Sequence, residues 1–223
     1  MTISSRPAPA RTDGPAARTD VPAARTDVPA TAAPAAAALA PSTVRRLGAG
    51  LATGTVLWAS TMVIWGGQAT GFGGRMGDLG GLAFQLGLFG LLQVQLRTRA
   101  TGTSRKAVAM IKVEHVLLAL ASLWSLLHAI TPDTGWLVAL DVFWPLSMLG
   151  MAIIGIKIAL AGRWRGALRV WPMVAESWVL VAVPAYAVTG GGTIANVVGA
   201  GHLLLGYTML GVLLARRPEL TAR

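Results

Sequence analysis

The run WLVALDVFWPLSMLGMAIIGIKIALA, from Trp136 to Ala161, carries Asp141 and Lys157 as its only charged side chains and is followed by Arg163 and Arg165. At about 1.5 Å per residue, a helix of this length crosses a hydrocarbon core roughly 30 Å thick. Its apolar residues lack the alternation of a barrel strand, and in lipid only a helix or a closed barrel satisfies every backbone N–H and C=O. The run therefore reads as a transmembrane helix.

Segments of the same character lie on both sides of it: about Leu47 to Gly66, Leu79 to Leu96 and Met110 to Ile130 before it, and Trp171 to Val188 and Thr193 to Ala215 after it. The fold class is all-α, a six-transmembrane-helix bundle over residues 45–216. Composition agrees, with 54% hydrophobic and 13% charged residues where a soluble domain carries roughly 25% charged. Pro145 and Pro184 fall inside segments and are expected to kink them, and Pro172 is placed in the first turn of the fifth segment.

The distribution of charge sets the orientation. Arg45 and Arg46 precede the first segment; Arg97, Arg99, Arg105 and Lys106 lie between the second and third; Arg163, Arg165 and Arg169 lie between the fourth and fifth; Arg216, Arg217 and Arg223 follow the sixth. The other connections hold Arg75 alone, beside Asp78 and Asp133. Positive loops stay in the cytoplasm, so the expected topology is N-in/C-in. Trp65 and Trp136 suit the outer interface, and Trp164 and Trp171 the inner one. A net charge of +10 spread over helix ends suits anionic lipid head groups and offers nucleic acid no basic folded module. Richness in Ala, Gly, Val and Arg reads as the coding bias of a GC-rich bacterial genome, so the expected location is a bacterial cytoplasmic (inner) membrane.

Residues 1–44 stand apart. Ala10–Ala16, Ala17–Ala23 and Ala24–Ala30 repeat the unit ARTDxPA, with a proline in every copy and no apolar seam. That excludes a coiled coil and points to a disordered, low-complexity cytoplasmic tail, with docking to a protein partner as its alternative role. No cleavable signal is expected there. Residues 217–223 read as a short cytoplasmic C-terminal tail. The stretch Gly71–Gly77, GFGGRMG, reads as a flexible connector outside the cell. The chain has no cysteine, which excludes disulfides, thiolate catalysis and iron–sulfur clusters. HExxH, GxSxG and Walker sequences are absent, so no metal site or enzyme class has motif support.

Function must then be sought in polar groups within the segments, where ionisable side chains are costly and face the bundle interior. Glu114, Leu118, Ala121, Ser125 and His128 fall on one face of the third segment at helical spacing. Packed inward, this stripe forms a polar path. Equal depth across tight hairpins suggests two pairs: His128 with Asp141, joining the path, and Lys157 with Glu176 as a structural ion pair. His202 shares its face with Gly199 and Gly206, which either admit a neighbouring helix or leave room for a flat ligand. The alternative redox reading is a single haem b between His115 and His202; the chain's three histidines are too few for two haems, and no cofactor is expected in the leading reading. That leading reading is a small permease-like or accessory membrane subunit with a path along Glu114, Ser125, His128, Asp141 and His202. A membrane-embedded enzyme or redox protein, and a membrane scaffold, are the alternatives.

Overall fold

A computed structural model describes residues 39–131 and 135–222. The expectation of a disordered repeat tail lies outside the described residues, as does Asp133. All regular structure among the described residues is helical. Helix α1 is Pro41–Trp65, α2 is Gly71–Arg97 and α3 is Arg105–Ile130. The fourth span, Gly135–Ala161, is a 3-10 turn (Gly135–Leu137), α4 (Val138–Asp141) and α5 (Phe143–Ala161). The fifth, Ala167–Thr189, is divided into α6 (Ala167–Glu176) and α7 (Trp178–Thr189). The sixth, Thr193–Arg216, is α8 (Thr193–Leu203), a π turn (Leu204–Thr208) and α9 (Met209–Arg216). All six are long and apolar enough to cross a membrane.

Local chemistry explains the ends and breaks. Pro41 opens α1, where a missing N–H costs nothing. Ser104 caps α3, its Oγ accepting from the Ala107 N–H at 3.1 Å. Gly162 and Gly190 close α5 and α7 in left-handed conformation. The α4–α5 break falls at Val142 because Pro145 cannot donate to the Asp141 carbonyl four residues back. The α6–α7 break falls at Ser177, whose hydroxyl donates to the Val174 carbonyl at 2.7 Å and so competes with the helix ladder.

The spans pack in chain order, α1 on α2, α2 on α3, α3 on α5, α5 on α6 and α7 on α8, and α9 closes the cycle by packing on both α6 and α1. Glycines set the closest approaches. Gly54 leaves no room for a side chain against the Ala83 backbone, and a Cβ on Gly48 would sit 2.6 Å from the Gly211 carbonyl oxygen. Apolar side chains cover the outside as well as the inside: Val188, Val138, Leu160, Leu180 and Leu205 are all at least 70% exposed. In water such a surface would be a liability; against acyl chains it is what a lipid-facing bundle presents. The molecule is accordingly compatible with a multi-pass membrane protein in contact with lipid.

Some expectations need correction. Gly71–Gly77 is not a connector but the first two turns of α2. Its glycines let those turns lie against the end of α1, a Cβ on Gly73 falling 3.1 Å from the Trp65 Cβ. Trp164 is no interface anchor: it is fully buried, with its indole N–H on the Thr98 hydroxyl at 2.9 Å. Trp171 likewise donates inward, to the Gly206 carbonyl at 3.0 Å. Pro172 sits past the first turn because α6 begins at Ala167. In the C-terminal stretch, Pro218 and Thr221 are buried in a 3-10 turn whose Leu220 carbonyl accepts from the Arg165 N–H.

Candidate functional site

A cavity of about 340 Å³ occupies the end of the bundle that carries the α1–α2 connection, here termed the glycine-rich end. Its wall from α3 is Trp124, Ser125 and His128, and its wall from α2 includes Asp78 and Gly77. His128 Nδ1 donates to Asp78 Oδ2 at 2.8 Å, and Trp124 stacks on the imidazole with centroids 4.9 Å apart. The expected partner, Asp141, lines the same cavity from the α4–α5 break but makes no hydrogen bond or ion pair among the described residues. His128 and Asp141 share the cavity without pairing. The imidazole turns toward α2, and Asp78 was missed because the first turns of that helix read as loop.

Deeper in, Trp58 of α1, Trp144 of α5 and Trp178 of α7 meet pairwise with centroids 5.5–5.8 Å apart. Their planes are inclined at 42° to 82°, and all three line the cavity. Phe84 stacks beneath Trp58 at 5.0 Å, and Tyr207 meets Phe84 edge-on at 4.8 Å. These rings form the floor.

Beyond the floor lie two buried carboxyls. The α3 stripe is turned inward as expected, with Glu114, Leu118, Ala121 and Ser125 all within 2% of complete burial. Ser147, three residues after Trp144 on α5, donates to Glu114 Oε1 at 2.6 Å, while Oε2 has no partner among the described residues. Gly150 makes room for that second oxygen, which a side chain there would strike. Glu176 ends α6 at the Ser177 break. Tyr207, on the π turn of the sixth span, donates to its Oε2, and its Oε1 is unpartnered among the described residues. A helix break and a π turn, both irregularities of the kind found at functional sites, thus converge on one carboxyl.

The expected Lys157–Glu176 pair does not form. Lys157 is exposed on the outer face of α5, and His128–Asp78 is the ion pair found among the described residues. Matched depth cannot bring together side chains on opposite faces. The two haem candidates, His115 and His202, are each engaged by protein, while His202 Nδ1 is buried with no partner among the described residues. His115 Nδ1 donates to the Ile111 carbonyl at 2.8 Å and its Nε2 lies 3.3 Å from the Gln93 amide, so neither nitrogen is free. His202 is hydrogen-bonded to Ser177 at 3.1 Å. The glycines beside it are filled by protein, a Cβ on Gly206 falling 2.8 Å from the Ala175 Cα and one on Gly199 lying 3.0 Å from the Met62 methyl. No group of three or more His, Asp or Glu among the described residues could hold a metal ion.

No family model, curated protein or solved structure matches this chain. The site therefore rests on its own geometry. Of the path residues named from sequence, Ser125, His128 and Asp141 line the cavity and Glu114 is buried elsewhere on the same face of α3, whereas His202 pairs with Ser177. Sequence reading does not single out Asp78, Ser147, Tyr207 or the tryptophan floor. A signal for Tyr207 was available: it is one of two tyrosines in the chain, set deep in an apolar run where a hydroxyl needs a partner.

Proposed function

We propose that this chain is a small permease-like subunit of a bacterial cytoplasmic membrane, with the arginine-rich end and both termini in the cytoplasm. Its polar path enters from the cavity at the opposite end. One observation carries the reading: on a single inward face of α3, Ser125 and His128 line the cavity, while Glu114 lies buried further along with one oxygen unpartnered. Buried carboxyls are costly in a lipid-crossing bundle, and they mark ion and proton routes. Ser125 and Glu114 are separated by about 16 Å of helix. The tryptophan floor closes that interval in this arrangement, so passage requires those rings to move. His128–Asp78 would act at the mouth, Ser125 within it, and Glu114 and Glu176 as the inner relay.

Reconstitution in vesicles tests this. With a potassium gradient and valinomycin driving proton entry, an internal pH dye should report faster uptake than in protein-free vesicles. Glu114→Gln should abolish the gain, and Asp141→Asn or His128→Ala should reduce it. Equal uptake by all three variants and the parent would remove the path.

A further inference from the structure

The cavity at the glycine-rich end is lined by five aromatic side chains, Trp58, Trp124, Trp144, Trp178 and Tyr186, and by two carboxylates, with no lysine or arginine among the described residues. We propose that it binds a small organic cation, an alkylated ammonium held against the tryptophans with Asp141 as its counter-charge. This deepens the permease reading and rests on it for the idea that the bound cation is a substrate.

The aromatic wall supplies the attraction. A cation over an indole face is drawn to the negative face of the ring, and the effect strengthens as water is excluded. The planes of Trp58, Trp144 and Trp178 are mutually inclined, so the three do not close into a parallel stack, although each edge-to-face contact covers part of one ring face and Phe84 covers one face of Trp58. The polar tips of two lining rings are already occupied, the Trp178 N–H by the Gly199 carbonyl at 2.9 Å and the Tyr186 hydroxyl by Asn196 at 2.6 Å. Those residues therefore offer π surface rather than donors.

The two carboxylates differ in availability. Asp78 is held by His128, whereas Asp141 sits exposed at a helix break with no partner among the described residues. An unpaired carboxylate beside an apolar, aromatic cavity favours a cation and repels an anion. An alkylated ammonium fits better than a bare ion, because it sheds water easily and asks for no hydrogen bonds from the floor. The volume of about 340 Å³ lies at the small end of ligand pockets. Gly77 adds room: a Cβ built there meets no atom within 4 Å.

The test is a titration of the detergent-purified full chain with choline and with tetraethylammonium, followed by tryptophan fluorescence and calorimetry. The neutral carbon isostere of choline, 3,3-dimethylbutan-1-ol, is the control. Saturable binding of a cation, with the isostere at least about tenfold weaker, is expected. Asp141→Asn should weaken binding about tenfold, and Gly77→Leu, whose side chain enters the cavity, should abolish it while leaving the circular dichroism unchanged. Failure of both cations to saturate overturns the proposal. So does equal binding of the isostere, which would make the cavity a plain apolar slot, and so does full binding by Gly77→Leu. Vesicle flux separates this inference from the reading beneath it. Cation binding without any Glu114-dependent flux removes the permease and leaves the site; such flux without cation binding removes the site and leaves the path.

Discussion

Tyr207→Phe deletes one buried oxygen and little else, and so isolates the hydrogen bond to Glu176. Tyr207 and Glu176 are 1% and 2% exposed, and the other oxygen of Glu176 already lacks a partner. The phenyl ring would keep its edge-on contact with Phe84, so packing changes little. The variant leaves a carboxyl inside the bundle with neither oxygen bonded. A buried acceptor left unsatisfied costs about 1–3 kcal/mol. Hydrogen bonds between helices in membranes average only about 0.6 kcal/mol, because separated helices find other partners. The larger range applies here. Parting the fifth span from the sixth would leave Glu176 facing acyl chains, with no hydroxyl of its own helix on Oε2. The expected loss is about 1–2 kcal/mol, read as the shift in an equilibrium unfolding curve in mixed detergent and SDS micelles. A double-mutant cycle with Glu176→Leu, which removes the acceptor, should give a coupling of about 1 kcal/mol or more. Coupling below about 0.5 kcal/mol, the range of independent sites, would refute the argument that this bond ties the spans together.

Other outcomes follow from the same geometry. Gly206→Ala should destabilise by about 1–3 kcal/mol, since its Cβ would press on the Ala175 backbone and force α6 outward, whereas Gly201→Ala, with nothing within 4 Å, should be neutral or stabilising by up to about 1 kcal/mol; melting curves of the pair decide it, and equal shifts would contradict the packing. Lys157→Gln should change stability by less than about 0.5 kcal/mol, because Lys157 is exposed and has no carboxylate partner among the described residues; a loss matching that of Glu176→Gln would reinstate the expected ion pair. For orientation, the cysteine-free chain allows clean single labels: in right-side-out vesicles an impermeant maleimide should react with Thr70→Cys at the glycine-rich end and spare Thr103→Cys at the arginine-rich end. The reverse pattern would invert the proposed topology.

Much of the architecture was legible because it is one-dimensional. An apolar run either is or is not long enough to cross a bilayer, and an interior proline either breaks the ladder four residues back or does not. Pro145 did, at Asp141 and Val142. The inward stripe of α3 was legible for a similar reason, since helical periodicity alone places Glu114, Leu118, Ala121 and Ser125 on one face. What periodicity could not supply was which helix that face meets. His128 turned to Asp78 on α2 instead of Asp141 beyond its own hairpin, because two side chains at one depth still need a common azimuth. Lys157 and Glu176 failed as a pair for the same reason. The glycines of Gly71–Gly77 misled because low helix propensity is a local property, while their value is tertiary: a bare backbone lets α2 start directly against α1. The tryptophan floor gathers residues from α1, α5 and α7, and the Glu176–Tyr207 bond joins a helix break to a π turn in the next span. The chain by itself determined six spans and one polar face, but not where the second and fifth spans begin. Only packing decided which polar groups meet, because that depends on the rotation of each helix about its axis, and that rotation is set by the small residues at which neighbouring spans touch.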